Sequence, residues 1–266
     1  MSRVSQPNGT KGSLKWIQLL INDCPQLINP LLQTECSLIA DESIIWASPL
    51  KDDEFAEYWD QDFLNRLGTD LKQQSLDTFW PNSGPHWDAL GRTEKGKVFL
   101  LEAKAHVTEI VTPGTGAKSP RSKALIEKSL QEVKSFLSVR SSTDWSNVLY
   151  QYANRLAHLY LLRELNNIPA FLVFVYFLND KEMNGPATKE EWIAAIQVVE
   201  GVLGLGEKHR LKPYIIDLFI DVNDIETAIK GLKLEQISDH DGTIGFIDAL
   251  QKKTKGNPSV DVRLDI

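Results

Sequence analysis

Two carboxylates and one amine lie close together in the middle of the chain, a combination that suits metal-assisted chemistry. Glu102 and Lys104 directly follow an apolar run over residues 98–101 that favours a β-strand. Side chains alternate in direction along a strand, so Glu102, Lys104 and His106 are expected to project from one face. A buried strand that ends in this pattern is unusual, and the pattern indicates a site.

A turn places a second acid beside this strand. Residues 93–96 form a turn sequence in which Gly96 can take a positive φ, so residues 87–106 are predicted to form a β-hairpin. Asp88 lies on the first strand of this hairpin. We therefore expect its carboxylate to lie beside that of Glu102.

This group of side chains predicts a divalent-cation site. Mg²⁺ takes oxygen ligands and keeps several waters, so Asp88 and Glu102 leave positions for water and a phosphate oxygen. A cation there stabilises charge on a phosphoryl group and lowers the pKa of a water, and Lys104 can share the developing charge. The alternative is a surface ion pair between Glu102 and Lys104, worth about 0–1 kcal/mol.

Asp88 followed by Glu102-Ala103-Lys104 resembles the metal-binding motif of the PD-(D/E)xK nuclease superfamily, which has the restriction-endonuclease-like fold. Trp87 stands where that motif has proline. The resemblance implies that Asp88, Glu102 and the main-chain carbonyl of Ala103 hold Mg²⁺ or Mn²⁺. It also implies that Lys104 is catalytic and acts on the attacking water or on the scissile phosphate, and it favours DNA as the substrate.

An accessory acid is expected on the helix before the hairpin. An apolar stripe predicts a helix from residue 52 or 53 to about residue 67. Glu57 is the first candidate, because related nucleases sometimes use an acid from this helix. Three other acids lie nearby, and a solvated acidic face is the alternative.

A later helix, predicted from residue 144 or 145 to residue 165, carries polar residues at helical spacing. Gln151, Arg155 and His158 share one stripe of this helix. The resemblance favours Gln151 and Arg155 as accessory residues, with Gln151 nearer the helix start. An ordinary polar helix face is the alternative.

Lys118, Arg121 and Lys123 form a basic group after the loop that follows the hairpin. They can contact substrate phosphates, or they belong to an ordinary solvated surface. The nearby Gly-Thr-Gly-Ala-Lys-Ser sequence lacks the Gly-Lys-Ser/Thr of a nucleotide-binding loop, so we exclude a nucleoside-triphosphate site. Trp80 and Trp87 can stack on bases or belong to the core.

The order of predicted elements defines the fold class. A helix precedes the hairpin, two helices follow it, and residues 170–177 and 214–222 are strands separated by a helix over residues 188–203. This order predicts one α/β domain over residues 1–266, with a mixed central sheet flanked by helices. It matches the restriction-endonuclease-like core that the resemblance implies. An N-terminal tail and helical extension covers residues 1–40, the core covers about 41–222, and residues 223–266 form a C-terminal edge segment.

Composition narrows the class of protein. The 266 residues carry a formal net charge of −7, which counts against a protein that coats nucleic acid. Only two cysteines occur, and the longest apolar run is too short to span a bilayer, so we expect a cytoplasmic protein without a membrane partner.

The residues and the resemblance together predict a Mg²⁺- or Mn²⁺-dependent nuclease whose partner is nucleic acid, and the resemblance favours DNA. Two alternatives stay open. One is an inactive nuclease-fold module with a binding or regulatory role. The other is a hydrolase or transferase that acts on a small phosphorylated substrate.

Overall fold

A five-stranded mixed sheet forms the centre of the protein, which confirms the predicted α/β class. The computed structural model describes residues 2–234. The sheet has the order β2-β4-β5-β6-β7, antiparallel from β2 to β5 and parallel from β5 to β7. Its strands are β2 (Ile44–Ser48), β4 (Ala89–Thr93), β5 (Val98–Lys104), β6 (Ala170–Leu178) and β7 (Ile215–Asp221). A separate two-stranded sheet pairs β1 (Arg3–Val4) with β3 (Glu57–Tyr58).

Helices cover both faces of the central sheet. They are α1 (Gly12–Asn22), α2 (Pro25–Glu35), α3 (Asp60–Leu67), α4 (Leu76–Phe79), α5 (Pro120–Phe136), α6 (Tyr150–Arg163) and α7 (Lys189–Leu203). The N-terminal helices contact β5 and β7, while α6 packs on β6 and against α5. Val98, Leu100, Leu172 and Phe174 belong to the apolar core that also includes α5, α6 and α7. Because Glu102 and Lys104 share the parity of Val98 and Leu100, they lie on this same face.

The hairpin forms as its sequence predicts. Gly96 has a φ of +83° and its N–H donates to the carbonyl of Thr93 at 3.0 Å, which closes the turn. All seven residues of β5 are buried, because β4 flanks this strand on one side and β6 on the other. The hairpin therefore delivers its polar residues to the centre of the sheet.

The prediction of a helix over residues 52–67 is wrong for the first half of that range. The helix begins only at Asp60, and Glu57 lies instead on β3. Arg3, in the segment predicted to be a tail, pairs with Tyr58 in the sheet and binds the Asp53 carboxylate at 3.0 Å. This partner lies about fifty residues away, so local periodicity could not reveal it.

The boundaries of the other helices differ less from the predicted ones. Helix α7 begins with a capping box, in which the Thr188 hydroxyl accepts from the N–H of Glu191. Helix α6 begins at Tyr150 rather than at residue 144, because Asp144 folds the preceding residues into a turn through the N–H and hydroxyl of Ser146. Helix α2 continues through Pro30.

The chain divides into two compact units. The first ends at Ile225 and contains both sheets, and the second begins at Glu226. Residues 222–234 are helical, and the rest of the predicted C-terminal edge segment lies outside the described residues. Within residues 2–234 no helix has the length and apolar character needed to cross a membrane.

Candidate active site

Strand β4 separates from β5 at Asp88, and this separation creates the site. The backbone of Trp87 pairs with Tyr58 of the small sheet, and the Trp87 N–H donates to the Tyr58 carbonyl at 3.2 Å. The Asp88 side chain takes over the pairing with β5, because its Oδ2 accepts the N–H of Ala103 at 2.7 Å. A carboxylate thus stands where the next residue of the strand would have been.

The main-chain carbonyl of Ala103 points to the same gap. The N–H and C=O of one strand residue point to the same edge, and the N–H of Ala103 points to Asp88. The predicted ligand atoms at Asp88 and Ala103 therefore lie on one side of β5.

Glu102 is buried within a network of cations. It is only 1% exposed, and each of its carboxylate oxygens has a charged partner. Oε1 accepts a hydrogen bond from Nζ of Lys104, and Oε2 accepts one from Nε of Arg155 at 2.7 Å. The structure therefore joins Glu102, Lys104 and Arg155 in one buried ion cluster.

The two carboxylates occupy opposite electrostatic environments. Burial raises the pKa of Asp88 well above its ordinary value, and the negative charge of Glu102 raises it further. Burial also acts to raise the pKa of Glu102, but Arg155 and Lys104 outweigh it and hold that pKa below its ordinary value. The surroundings of Glu102 thus favour its ionised form, and those of Asp88 favour its protonated form.

Helix α6 holds the amine in place. Gln151, its second residue, accepts a hydrogen bond from Lys104 Nζ at 2.9 Å through Oε1, and its own N–H donates to the Thr112 hydroxyl at 3.1 Å. The Lys104 side chain is 10% exposed, so its ammonium group is fixed between Glu102 and Gln151.

Arg155 binds residues on both sides of the site, on β5 and on the segment before Asp88. Its Nη2 donates to the main-chain carbonyl of His86 at 2.7 Å and its Nη1 donates to Asn154 at 3.0 Å. Its guanidinium carbon lies 4.7 Å from the centroid of the Trp87 ring. Arg155 therefore links Glu102 on β5 to the segment that leads into Asp88.

Two other predicted residues lie at different distances from the cluster. Glu57 lies on β3 with Oε2 3.8 Å from Nδ1 of His86, and its negative charge contributes to the raised pKa of Asp88. His106 follows the end of β5 and turns away. Its Nδ1 contacts the hydroxyl of Thr108, and its Nε2 lies 3.2 Å from Glu109. The structure thus places Glu57 beside the site and separates His106 from Lys104.

Lys118, Arg121 and Lys123 are exposed at the start of α5. Within the described part of the chain they form no ion pair, and no contact joins them to the carboxylates. The preceding loop does reach the site, because Thr115 donates its N–H to Ser146, and Thr112 accepts from Gln151. The basic group therefore lies on a segment anchored beside the site and does not belong to it.

The aromatic residues near the site differ from those singled out in the sequence. Trp80 and Trp87 are 2% and 0% exposed, so they are core residues and cannot stack on a base. Trp59, assigned to a buried helical stripe, instead stacks on His86 with the ring centroids 4.0 Å apart. Only the tertiary structure reveals this pair, because its members lie 27 positions apart. His158 packs among buried aromatic rings, and burial lowers its pKa to about 3.

A narrow recess opens behind the cluster, between the sheet and the helices. Glu102, Lys104, Gln151 and Arg155 supply its polar side. Its apolar side includes Phe174, Tyr176 and Ile196. The charged groups therefore meet a largely apolar wall, which strengthens their electrostatic interactions.

The donor set fits a hard divalent cation. Asp88, Glu102 and the Ala103 carbonyl present oxygen atoms only, which is the chemistry that Mg²⁺ and Mn²⁺ prefer. Among residues 2–234 no group of three or more His, Cys, Asp or Glu side chains could hold a metal ion. A cation at this position would therefore depend on two carboxylates, a main-chain carbonyl and water.

Comparison of the chain with protein-family models, with curated proteins and with solved structures gave no match.

Proposed function

We propose that this protein is a divalent-metal-dependent nuclease that hydrolyses phosphodiester bonds, in the manner of the PD-(D/E)xK enzymes that its motif resembles. One observation carries the proposal. A buried lysine, Lys104, is held between Glu102 and Gln151 at the gap where Asp88 replaces a strand residue. A structural strand has no need of a fixed ammonium group at this position.

Asp88, Glu102 and the Ala103 carbonyl would hold Mg²⁺ or Mn²⁺. When bound, the cation supplies neutralisation of phosphoryl charge and a lowered pKa for water. Cation binding would also offset the unfavourable charge of Asp88 in the metal-free site. Burial and the charge of Glu102 make the ionised form of Asp88 unfavourable, and a nearby cation favours that form.

Lys104 is the proposed catalytic group. Its ammonium donates hydrogen bonds, so it would donate to a phosphate oxygen or orient the attacking water, and it would share the charge that develops there. Gln151 fixes the position of the amine. Arg155 is a positioning residue, because its donors are directed at Glu102, Asn154 and the His86 carbonyl.

DNA is the proposed substrate, since the motif that Asp88, Glu102 and Lys104 resemble occurs mainly in enzymes that act on DNA. Lys118, Arg121 and Lys123 would contact flanking phosphates, because they are exposed on the segment anchored to α6. With a net charge of −7, this local contact rather than the overall field would hold the polymer.

The test is cleavage of labelled single-stranded DNA, duplex DNA and RNA in Mg²⁺ or Mn²⁺. We expect Lys104→Ala to lower turnover by about 10²–10³, the typical effect of losing one transition-state donor, and to leave metal binding intact. Asp88→Asn should weaken both metal binding and turnover, although its amide oxygen can still accept from Ala103. Lys95→Ala, which removes an exposed lysine from the turn of the same hairpin, is the matched control.

Equal cleavage by the wild-type protein, Lys104→Ala and Asp88→Asn would assign the activity to a contaminant and end the proposal. Calorimetry with Mn²⁺ measures binding separately from turnover, so the two roles can be distinguished.

One observation favours a second candidate, an inactive module with a binding or regulatory role. Both carboxylate oxygens of Glu102 already have a cationic partner, so the charge of Glu102 is neutralised without a metal. In this case Mn²⁺ would not bind, and none of the three polymers would be cleaved.

A further inference from the structure

We propose that the stacked rings of Trp59 and His86 form a binding shelf for an unpaired nucleobase next to the phosphate that the site would receive. The inference rests on the proposed function for its substrate, nucleic acid, and it specifies the form of that substrate. A shelf of this kind selects single strands, strand ends or displaced nucleotides over an intact duplex.

The first argument is the exposure of the rings. Trp59 and His86 are parallel to within 4°, so Trp59 covers one face of the imidazole. The His86 side chain is nevertheless 47% exposed. Since Trp59 covers one face of the ring, the exposed surface belongs to its edge and opposite face, and the proposed base would stack there.

The second argument is that the shelf is fixed to the proposed catalytic residues. His86 precedes Asp88 by two residues, and its carbonyl accepts from Arg155 at 2.7 Å, while Arg155 also binds Glu102. Glu57 lies 3.8 Å from His86 Nδ1 on the other side. A base on the shelf would therefore be held at a set distance from the carboxylates.

The third argument is the rigid support beneath His86. Asp60, which follows Trp59 in the chain, accepts the N–H groups of Ser83 and Gly84 at 3.0 and 2.9 Å. These bonds fix the loop that leads to His86 and occupy the Asp60 carboxylate. Trp59 and His86 thus come from two segments that one carboxylate ties together.

The fourth argument is the chemistry of a groove on the Trp59 side of the shelf. Trp59 lines this groove together with Gln61, Asn82 and Ser83, whose amide and hydroxyl groups match the donors and acceptors on a base edge. Asp77 also lines it and disfavours phosphate. Because the lining comes from the Trp59 side and not from His86, this groove would receive a second unpaired base next to the one that stacks on His86.

Stacking on an aromatic side chain accepts every base, because each base has a π-face. Bases inside a duplex already stack on both neighbours, so they cannot use the shelf without being displaced. The shelf therefore predicts discrimination by strandedness and not by sequence.

The experiment measures binding without cleavage. Fluorescence anisotropy in Ca²⁺ compares a labelled 12-nucleotide single strand with a duplex of equal length and with an abasic strand that has the same phosphates but no bases. We expect the wild-type protein to prefer the single strand. His86→Ala should weaken that binding by about 10- to 100-fold, the effect of losing one stacked base, and should leave binding of the abasic strand unchanged.

His86→Tyr keeps an aromatic ring and should restore most of the affinity. Trp59→Ala should act like His86→Ala, and Trp46→Ala is the matched control, because Trp46 lies on edge strand β2 with its indole bonded to Asn29. His86 is exposed, so its replacement should leave folding unaffected even where Trp59→Ala does not fold.

The outcomes separate the two proposals. Cleavage of duplex and single strands at equal rates, with His86→Ala unaffected, would remove the shelf and leave the nuclease. Single-strand binding that depends on His86, without cleavage in any metal, would support the shelf and reject the nuclease. Equal affinity of the wild-type protein for the abasic and normal strands, or no binding of either, would overturn the shelf.

Discussion

Arg155 and Glu102 offer the sharpest test of the proposed ion cluster. Replacing Arg155 by Met removes the Nε donor to Glu102 and the donors to His86 and Asn154. Glu102 would remain buried with Lys104 as its only charged partner. Breaking a buried pair in this way costs about 3–5 kcal/mol, and we expect Arg155→Met to destabilise the protein by that amount.

A double-mutant cycle isolates the interaction between the two side chains. Glu102→Gln alone leaves the Arg155 charge buried, whereas the double variant removes both charges. We therefore expect the two single costs together to exceed the cost of the double variant by about 2–3 kcal/mol, the upper end for residues in contact. Urea unfolding in EDTA measures each free energy of unfolding, with an unchanged m-value as the condition for comparison.

Lys212 and Glu200 provide the control cycle. Their Nζ–Oε1 distance of 2.7 Å is similar, but the lysine side chain is about one third exposed. We expect a coupling below about 1 kcal/mol for this pair, as for other solvent-exposed ion pairs. Additivity of Arg155→Met and Glu102→Gln to within about 0.5 kcal/mol would refute the buried cluster.

Three further predictions test groups elsewhere in the fold. Because burial lowers the pKa of His158 to about 3, its contribution to stability is present above pH 6.5 and is lost as the pH falls towards 3. In urea titrations His158→Gln should therefore lose less stability on acidification than the wild type, by at most about 4–5 kcal/mol. Asp217 has the opposite sign, because burial raises its pKa from 3.8 to about 6, so stability falls as the pH rises through that range. Asp217→Asn should therefore be more stable than the wild type at pH 8 by up to about 3 kcal/mol in urea titrations, and equal stability there would contradict this. Gly185→Ala would place a methyl group 2.2 Å from the carbonyl oxygen of Ala105, so thermal unfolding should show a loss of about 1–3 kcal/mol or more, while Gly206→Ala, with open space around it, should change little.

The parts of the fold that the sequence predicts are those with local signals. The turn at Gly96, the apolar run of β6 and the capping box at Thr188 each specify their element within a few residues. The start of α3 was missed because the apolar stripe before Asp60 continues in a helical period, while the chain there pairs with Arg3. A distant partner overrides local periodicity, and no pattern within a window reveals it.

The features of the candidate site also fall into those with a local sequence signal and those without one. Strand alternation places Glu102 and Lys104 on one face, and helical spacing places Gln151 one turn before Arg155, so these neighbours could be anticipated. The separation of β4 from β5 at Asp88 and the stacking of Trp59 on His86 could not, because both depend on how the two sheets meet. Sequence patterns indicate which face a side chain occupies, but not where one strand leaves another.

The contact between the small sheet and the central sheet also affects where the backbone opens locally to solvent. Strands β1 and β3 are two residues long, and a two-stranded pair of this size is only marginally stable by itself. Glu57 belongs to this small sheet, while Glu102 and Lys104 lie in the middle of the large one. Amide protons around Tyr58 should therefore exchange with solvent through openings that leave β5 protected. The strand that carries the lysine would therefore stay fixed while the short strand that carries Glu57 opens.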